Sequence, residues 1–128
     1  MFMPAYERMS WRRDWLALDD ERKRTMDAWG VIFARLERQP GWFDLSEADK
    51  NEAERASGLA DLDLRLKVID RRLRRWLRRM PTDLNRDLGA VVENLRIAER
   101  LLPSEENTIV HGLIARAARD LVQIGHAQ

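Results

Sequence analysis

Cysteine is absent from the chain, so neither a disulfide framework nor a thiolate metal site can form. Histidine occurs twice, at His111 and His126, too far apart in sequence for a metal pair on successive turns of one helix. There is no HExxH, no glycine-rich phosphate loop and no nucleophile elbow. The acidic doublets Asp19-Asp20 and Glu105-Glu106 stand at expected helix starts, where capping accounts for them. A non-enzymatic protein without metal or cofactor is therefore expected, with His111 structural at the edge of an apolar stripe. No stretch approaches the roughly 18 apolar residues of a membrane span. The opening Met1-Phe2-Met3-Pro4-Ala5-Tyr6-Glu7 lacks the basic and apolar regions of a signal peptide. The expectation is a cytoplasmic protein with no membrane partner.

Period-two alternation is missing as well, which argues against half-buried strands. What the sequence does contain is a balance of 45% hydrophobic and 35% charged residues over 128 positions. That balance suits long, well-solvated helices in a single domain spanning residues 1–128. Pro40-Gly41, Met80-Pro81 and Leu102-Pro103 mark boundaries, because proline lacks an amide hydrogen and pushes its predecessor out of helical geometry.

Four or five amphipathic helices follow, and an all-α bundle with antiparallel neighbours and short connections is the simplest packing. A first segment over about 5–18 has two apolar faces, Tyr6, Met9 and Leu16 against Trp11, Trp15 and Leu18. It reads as an N-terminal arm or a partner-facing helix, which makes Trp11 and Trp15 candidate partner contacts. A second helix is expected over about 20–38, capped by Asp19 or Asp20, with Met26, Trp29, Phe33 and Leu36 buried. Gly30 lies off that stripe, as if something packed close to it. Ser46 and Asp49 form an approximate capping box, and Ser57-Gly58 is the expected kink of the helix that follows. Thr82 and Ser104 are expected to cap the last two helices. Their stripes are Leu84, Leu88, Val91, Leu95, Ala98 and Leu102, then Val110, Leu113, Ile114, Ala117, Leu121 and Ile124.

The net charge of +1 hides an uneven distribution. Residues 44–63 hold seven acidic and two basic side chains, whereas residues 64–79 hold one and eight, a swing from −5 to +7. On the second stretch Leu62, Leu66, Ile69, Leu73, Trp76, Leu77 and Met80 form one apolar stripe within an arc of roughly 100°. Arg65, Lys67, Arg71, Arg72, Arg74, Arg75, Arg78 and Arg79 cover the rest, interrupted only by Asp70. Like charges three or four residues apart repel by a few tenths of a kcal/mol per pair. Here Arg71–Arg75, Arg71–Arg74, Arg74–Arg78, Arg75–Arg78 and Arg75–Arg79 are all such neighbours. Selection for stability alone would have mixed in glutamates.

The reading that accounts for this charge is a phosphate-binding ridge. The guanidinium fork matches phosphate oxygens, and successive helical turns can follow a nucleic-acid backbone. Arg12-Arg13 and Arg22-Lys23-Arg24 are candidate extensions of the track. Leu64 and Val68, aliphatics set among the basic residues, are candidate contacts with a protein partner or another copy. In size, helicity and basic face the chain resembles the small subunits of CRISPR effector complexes, a likeness of architecture only. It implies a small helical subunit of a larger nucleoprotein complex, with RNA or DNA left open. Other readings are a small DNA-binding regulator and an interaction module whose arginines meet an acidic protein. A further one is internal pairing, in which a break at Gly58 lets Asp44, Glu47, Asp49, Glu52 and Glu54 cover the arginines. A helix-turn-helix reader would need polar base-reading side chains, whereas this helix is almost pure arginine.

Overall fold

A computed structural model describes residues 5–80, 87–103 and 105–127, and among these it is all-α, with five α-helices, one short 3-10 helix and no strand. The helices are α1 (Ala5–Glu37), α2 (Glu47–Ser57), α3 (Leu59–Arg78), α4 (Leu88–Leu101) and α5 (Thr108–Ala127), with the 3-10 turn at Trp42–Asp44. Two compact units are distinguished, the described parts of residues 17–78 and of residues 1–16 with 79–128.

The two helices expected over 5–18 and 20–38 are one continuous helix, α1. Neither glycine nor proline lies between Ala5 and Trp29 to end it, so a carboxylate at Asp19 has nothing to cap. Asp19 is instead buried, accepts from Arg22 Nε at 3.0 Å and forms an ion pair with Lys23 at 3.8 Å, one turn further on. Such i,i+3 and i,i+4 pairs sustain a helix through that point.

In the unit of residues 17–78 the core gathers Leu36, Trp42 and Leu59, with Trp29, Ile32, Phe33 and Ala53 packed against them. Trp29 and Phe33 stack with ring centroids 4.8 Å apart. Met26, expected in this stripe, is half exposed, and Ile32 takes its place. The chain reverses at Gly41, whose φ of 79° is left-handed, and the buried Trp42 follows at once. Ser46 caps α2 by accepting from the Asp49 amide at 3.2 Å. Gly58 breaks the chain where expected, at φ 87°, and α3 starts on the next residue. On α3 the apolar stripe holds, with Ile69 and Leu73 buried and Leu62, Leu66, Trp76 and Leu77 half-buried, while Met80, beyond the helix, is exposed.

In the other unit α4 and α5 form an antiparallel hairpin, the start of α4 at Leu88 meeting the end of α5 at Gly125. A Cβ at Gly125 would lie 2.7 Å from Leu88 Cδ2. Asp87 caps α4, accepting from the Gly89 amide at 3.1 Å. The caps expected at Thr82 and Ser104, together with Leu84, lie outside the described residues. The early part of α1 is tied to this hairpin by Arg12 Nε donating to Asn94 Oδ1 at 2.5 Å and by Arg100 Nη1 donating to the Leu16 carbonyl at 3.1 Å.

The expected face of α5 is corrected. Val110, Leu113, Ala117 and Ile124 are exposed, while Ala118 is fully buried and His111, Ile114, Ala115, Leu121, Val122 and Gly125 are half-buried. Large aliphatics dominate a hydropathy stripe, but two helices approach most closely across alanine and glycine. Here that small-residue face won.

Two glycines allow opposite tests. Gly30 lies inside α1 with nothing within 4 Å of a built Cβ, so the close neighbour expected there is not found. Gly30→Ala should raise unfolding stability by about 1 kcal/mol through helix propensity and unfolded-state entropy. Gly58→Ala should lower it by about 1 kcal/mol or more, because an L side chain is strained at positive φ. Urea midpoints at constant m-value check both.

Candidate nucleic-acid interface

The break at Gly58 and the buried pair Ile69 and Leu73 fix which way α3 turns its basic side. With that stripe buried or half-buried, Arg65, Lys67, Arg71, Arg72, Arg74, Arg75 and Arg78 are all exposed, and so is Arg79 immediately after the helix. At 1.5 Å per residue, Arg65 to Arg78 covers about 20 Å of helix.

Two of these side chains have local partners. Arg65 Nη2 lies 2.8 Å from Glu21 Oε1 on α1, joining the two helices at their surface. The Arg72 guanidinium sits 5.5 Å from the centre of the Trp76 ring, a cation–π contact within the helix. Lys67, Arg71, Arg74, Arg75, Arg78 and Arg79 form no ion pair or hydrogen bond with other described residues. Asp70 is exposed among them and pairs with none of them.

The acidic segment does not neutralise this row. Although the chain breaks at Gly58, no ion pair among the described residues joins Asp44, Glu47, Asp49, Glu52 or Glu54 to the basic face of α3. Glu52 accepts from Arg55 in its own helix at 2.6 and 3.0 Å. That hydrogen bond, and then the Arg55 charge, hold the Glu52 carboxyl below its ordinary range. A depressed carboxylate contributes its stabilisation above the usual glutamate pKa and loses it as pH falls through the lowered value. At neutral pH the pair is therefore intact.

The candidate extensions fare unequally. Arg12 is buried and donates to Asn94, which makes it a structural arginine and not a phosphate contact. Arg13 is exposed and lies 3.3 Å from Glu93. Arg22 and Lys23 share the buried Asp19, and Arg24 is exposed on the same stretch of α1. Trp11 and Trp15 are buried too, so the proposed partner contacts belong to the interior. Leu64 and Val68 are exposed as expected, at 62% and 52%. His111 is half-buried with Nε2 3.9 Å from Glu99 Oε1, a structural setting, and His126 is exposed. No group of acidic and histidine side chains among the described residues could hold a metal ion. No described helix is long and apolar enough to cross a membrane.

Sequence reasoning missed the role of Arg12, because an arginine doublet looks alike whether it faces solvent or Asn94. It also missed the exposed aliphatics of α5, whose spacing was visible but assigned to the core.

No protein-family model, curated protein or solved structure matches the chain.

The division between structural and exposed arginines is testable by stability alone. Arg12→Met should cost about 1–3 kcal/mol, because it leaves Asn94 Oδ1 without its donor in a partly buried place. Arg13→Met should change stability by no more than about 0.5 kcal/mol, as expected of an exposed pair. Urea denaturation of the two variants distinguishes them.

Proposed function

We propose that this chain is a non-enzymatic nucleic-acid-binding accessory protein that grips the phosphate backbone through the basic face of α3. The observation that carries the reading is the row Lys67, Arg71, Arg74, Arg75 and Arg78, exposed and unpaired among the described residues. A row of positive charge that no described acid pairs attracts anions, and arginine forks favour phosphate. Contacts of this kind position a nucleic acid and give affinity without reading bases. Arg65 and Arg72, each with a local partner, act at the margin of the site, and Arg79 extends its end.

Exposed Leu64 and Val68 beside this row favour a subunit of a larger nucleoprotein complex, since aliphatics there suit contact with a neighbouring protein. The same pair supports the second reading, an interaction module whose arginines meet an acidic protein. A small DNA-binding regulator is the third. A cysteine-free chain suits a reducing cytoplasm, which we propose as its location.

Fluorescence anisotropy with labelled single-stranded RNA, single-stranded DNA and duplex DNA tests the proposal at two salt concentrations. With six phosphate contacts, affinity should fall roughly a thousandfold between about 50 and 200 mM salt. Joint replacement of Arg71, Arg74, Arg75 and Arg78 by glutamate should abolish binding while the helical circular dichroism is retained. Absence of binding to all three ligands at the lower salt would reject the reading in favour of an acidic protein partner.

A further inference from the structure

Along α5, residues 110, 113, 117, 120 and 124 repeat at alternating steps of three and four, the spacing of a helix–helix seam. Val110, Leu113 and Ile124 on this row are 47%, 57% and 52% exposed, and Ile109 beside them is 80% exposed. The opposite side of α5 already packs on α4 through Ala118 and Gly125. An apolar row at this spacing, turned away from the helix's own partner, is built to take another helix.

The charges on the row specify which one. Asp120 is its only acidic member, and Arg116, one turn earlier at the flank, forms no ion pair among the described residues. Asp120 itself lies 3.6 Å from Arg119, with both side chains well exposed. Pairing two α5 helices in parallel would bring Asp120 against Asp120 of the second copy, a like-charge contact inside the seam. An antiparallel pair removes the conflict. With Leu113 facing Ile124 of the second copy, the two-fold axis passes between Ala118 and Arg119. Asp120 then faces the small Ala117 of the second copy, with Arg116 of that copy beside it. The same contacts recur on the other side of the axis, as a two-fold interface requires. The row is thus self-complementary in register and in charge.

We propose that the exposed face of α5 is a self-association surface on which a second copy of this chain packs its own α5, antiparallel, with Asp120 of each copy meeting Arg116 of the other. The surface uses none of the residues of the basic face, so this inference stands or falls independently of nucleic-acid binding.

Sedimentation velocity of the full chain, without nucleic acid and up to about 0.2 mM, tests it. A reversible, concentration-dependent dimer is expected. Leu113→Glu, at an exposed position that the fold does not need, should weaken the dimer by roughly tenfold or more with helicity unchanged. Asp120→Arg should weaken it as well, by setting that side chain against Arg116, and the double exchange Arg116→Asp with Asp120→Arg should restore it. Because the chain has no cysteine, Leu113→Cys and Ile124→Cys variants carry single thiols. Mixed and oxidised, they should cross-link to each other in preference to Leu113→Cys with itself. A monomer at every concentration, a dimer that survives Leu113→Glu, or preferential Leu113→Cys self-linking would overturn the proposal.

Discussion

The mutual repulsion of the α3 side chains is the constraint around which this molecule is best understood. Arg71 alone has Lys67 four residues before it and Arg74 and Arg75 three and four after it. Each like-charged neighbour costs a few tenths of a kcal/mol, and no ion pair among the described residues, Asp70 included, reaches Arg71, Arg74, Arg75 or Arg78. The helix persists because its other face is anchored. Burying Ile69 and Leu73 contributes about 1.5–3 kcal/mol each, more than the repulsion subtracts. The result is an exposed row of charge on a helix whose opposite face is buried.

The rest of that unit keeps the row clear. Gly58 ends α2 so that α3 can take its own direction, and Glu52 of α2 is occupied by Arg55 of the same helix. On α1, Asp19 holds Arg22 and Lys23, and Glu21 reaches Arg65 at the margin. Those acids are engaged near in sequence or on an adjoining helix, whereas no ion pair among the described residues reaches the central arginines of α3.

Where a local signal decided the outcome, the sequence was a good guide. The apolar stripe of α3, the serine cap at Ser46 and the break at Gly58 depend on neighbours within a turn or two, and all three appear as read except for Met80 at the end of the stripe. The basic face was legible for the same reason, since a buried stripe on a helix leaves only one side for the remaining residues. Choices set by distant packing were not legible. Asp19-Asp20 looks like a cap until Arg22 and Lys23 claim Asp19 inside a continuous helix. Trp11, Trp15 and Arg12 resembled surface contacts because nothing nearby in sequence announces Asn94. On α5 four of the six stripe residues point outward and only Ile114 and Leu121 turn inward, because α4 meets the alanine and glycine face.

If the charge on α3 is kept for binding at the expense of stability, a single reversal should separate the two. Arg71→Glu lies clear of the last turn of α3 and converts three repulsive neighbours into attractive ones. Unfolding and nucleic-acid binding of this variant and the parent, measured side by side at low salt, are the direct comparison. Stability should rise by about 0.5–1 kcal/mol, a gain that shrinks as salt is added, while affinity for nucleic acid falls. A variant that is no more stable than the parent, or that binds as tightly, would contradict the account.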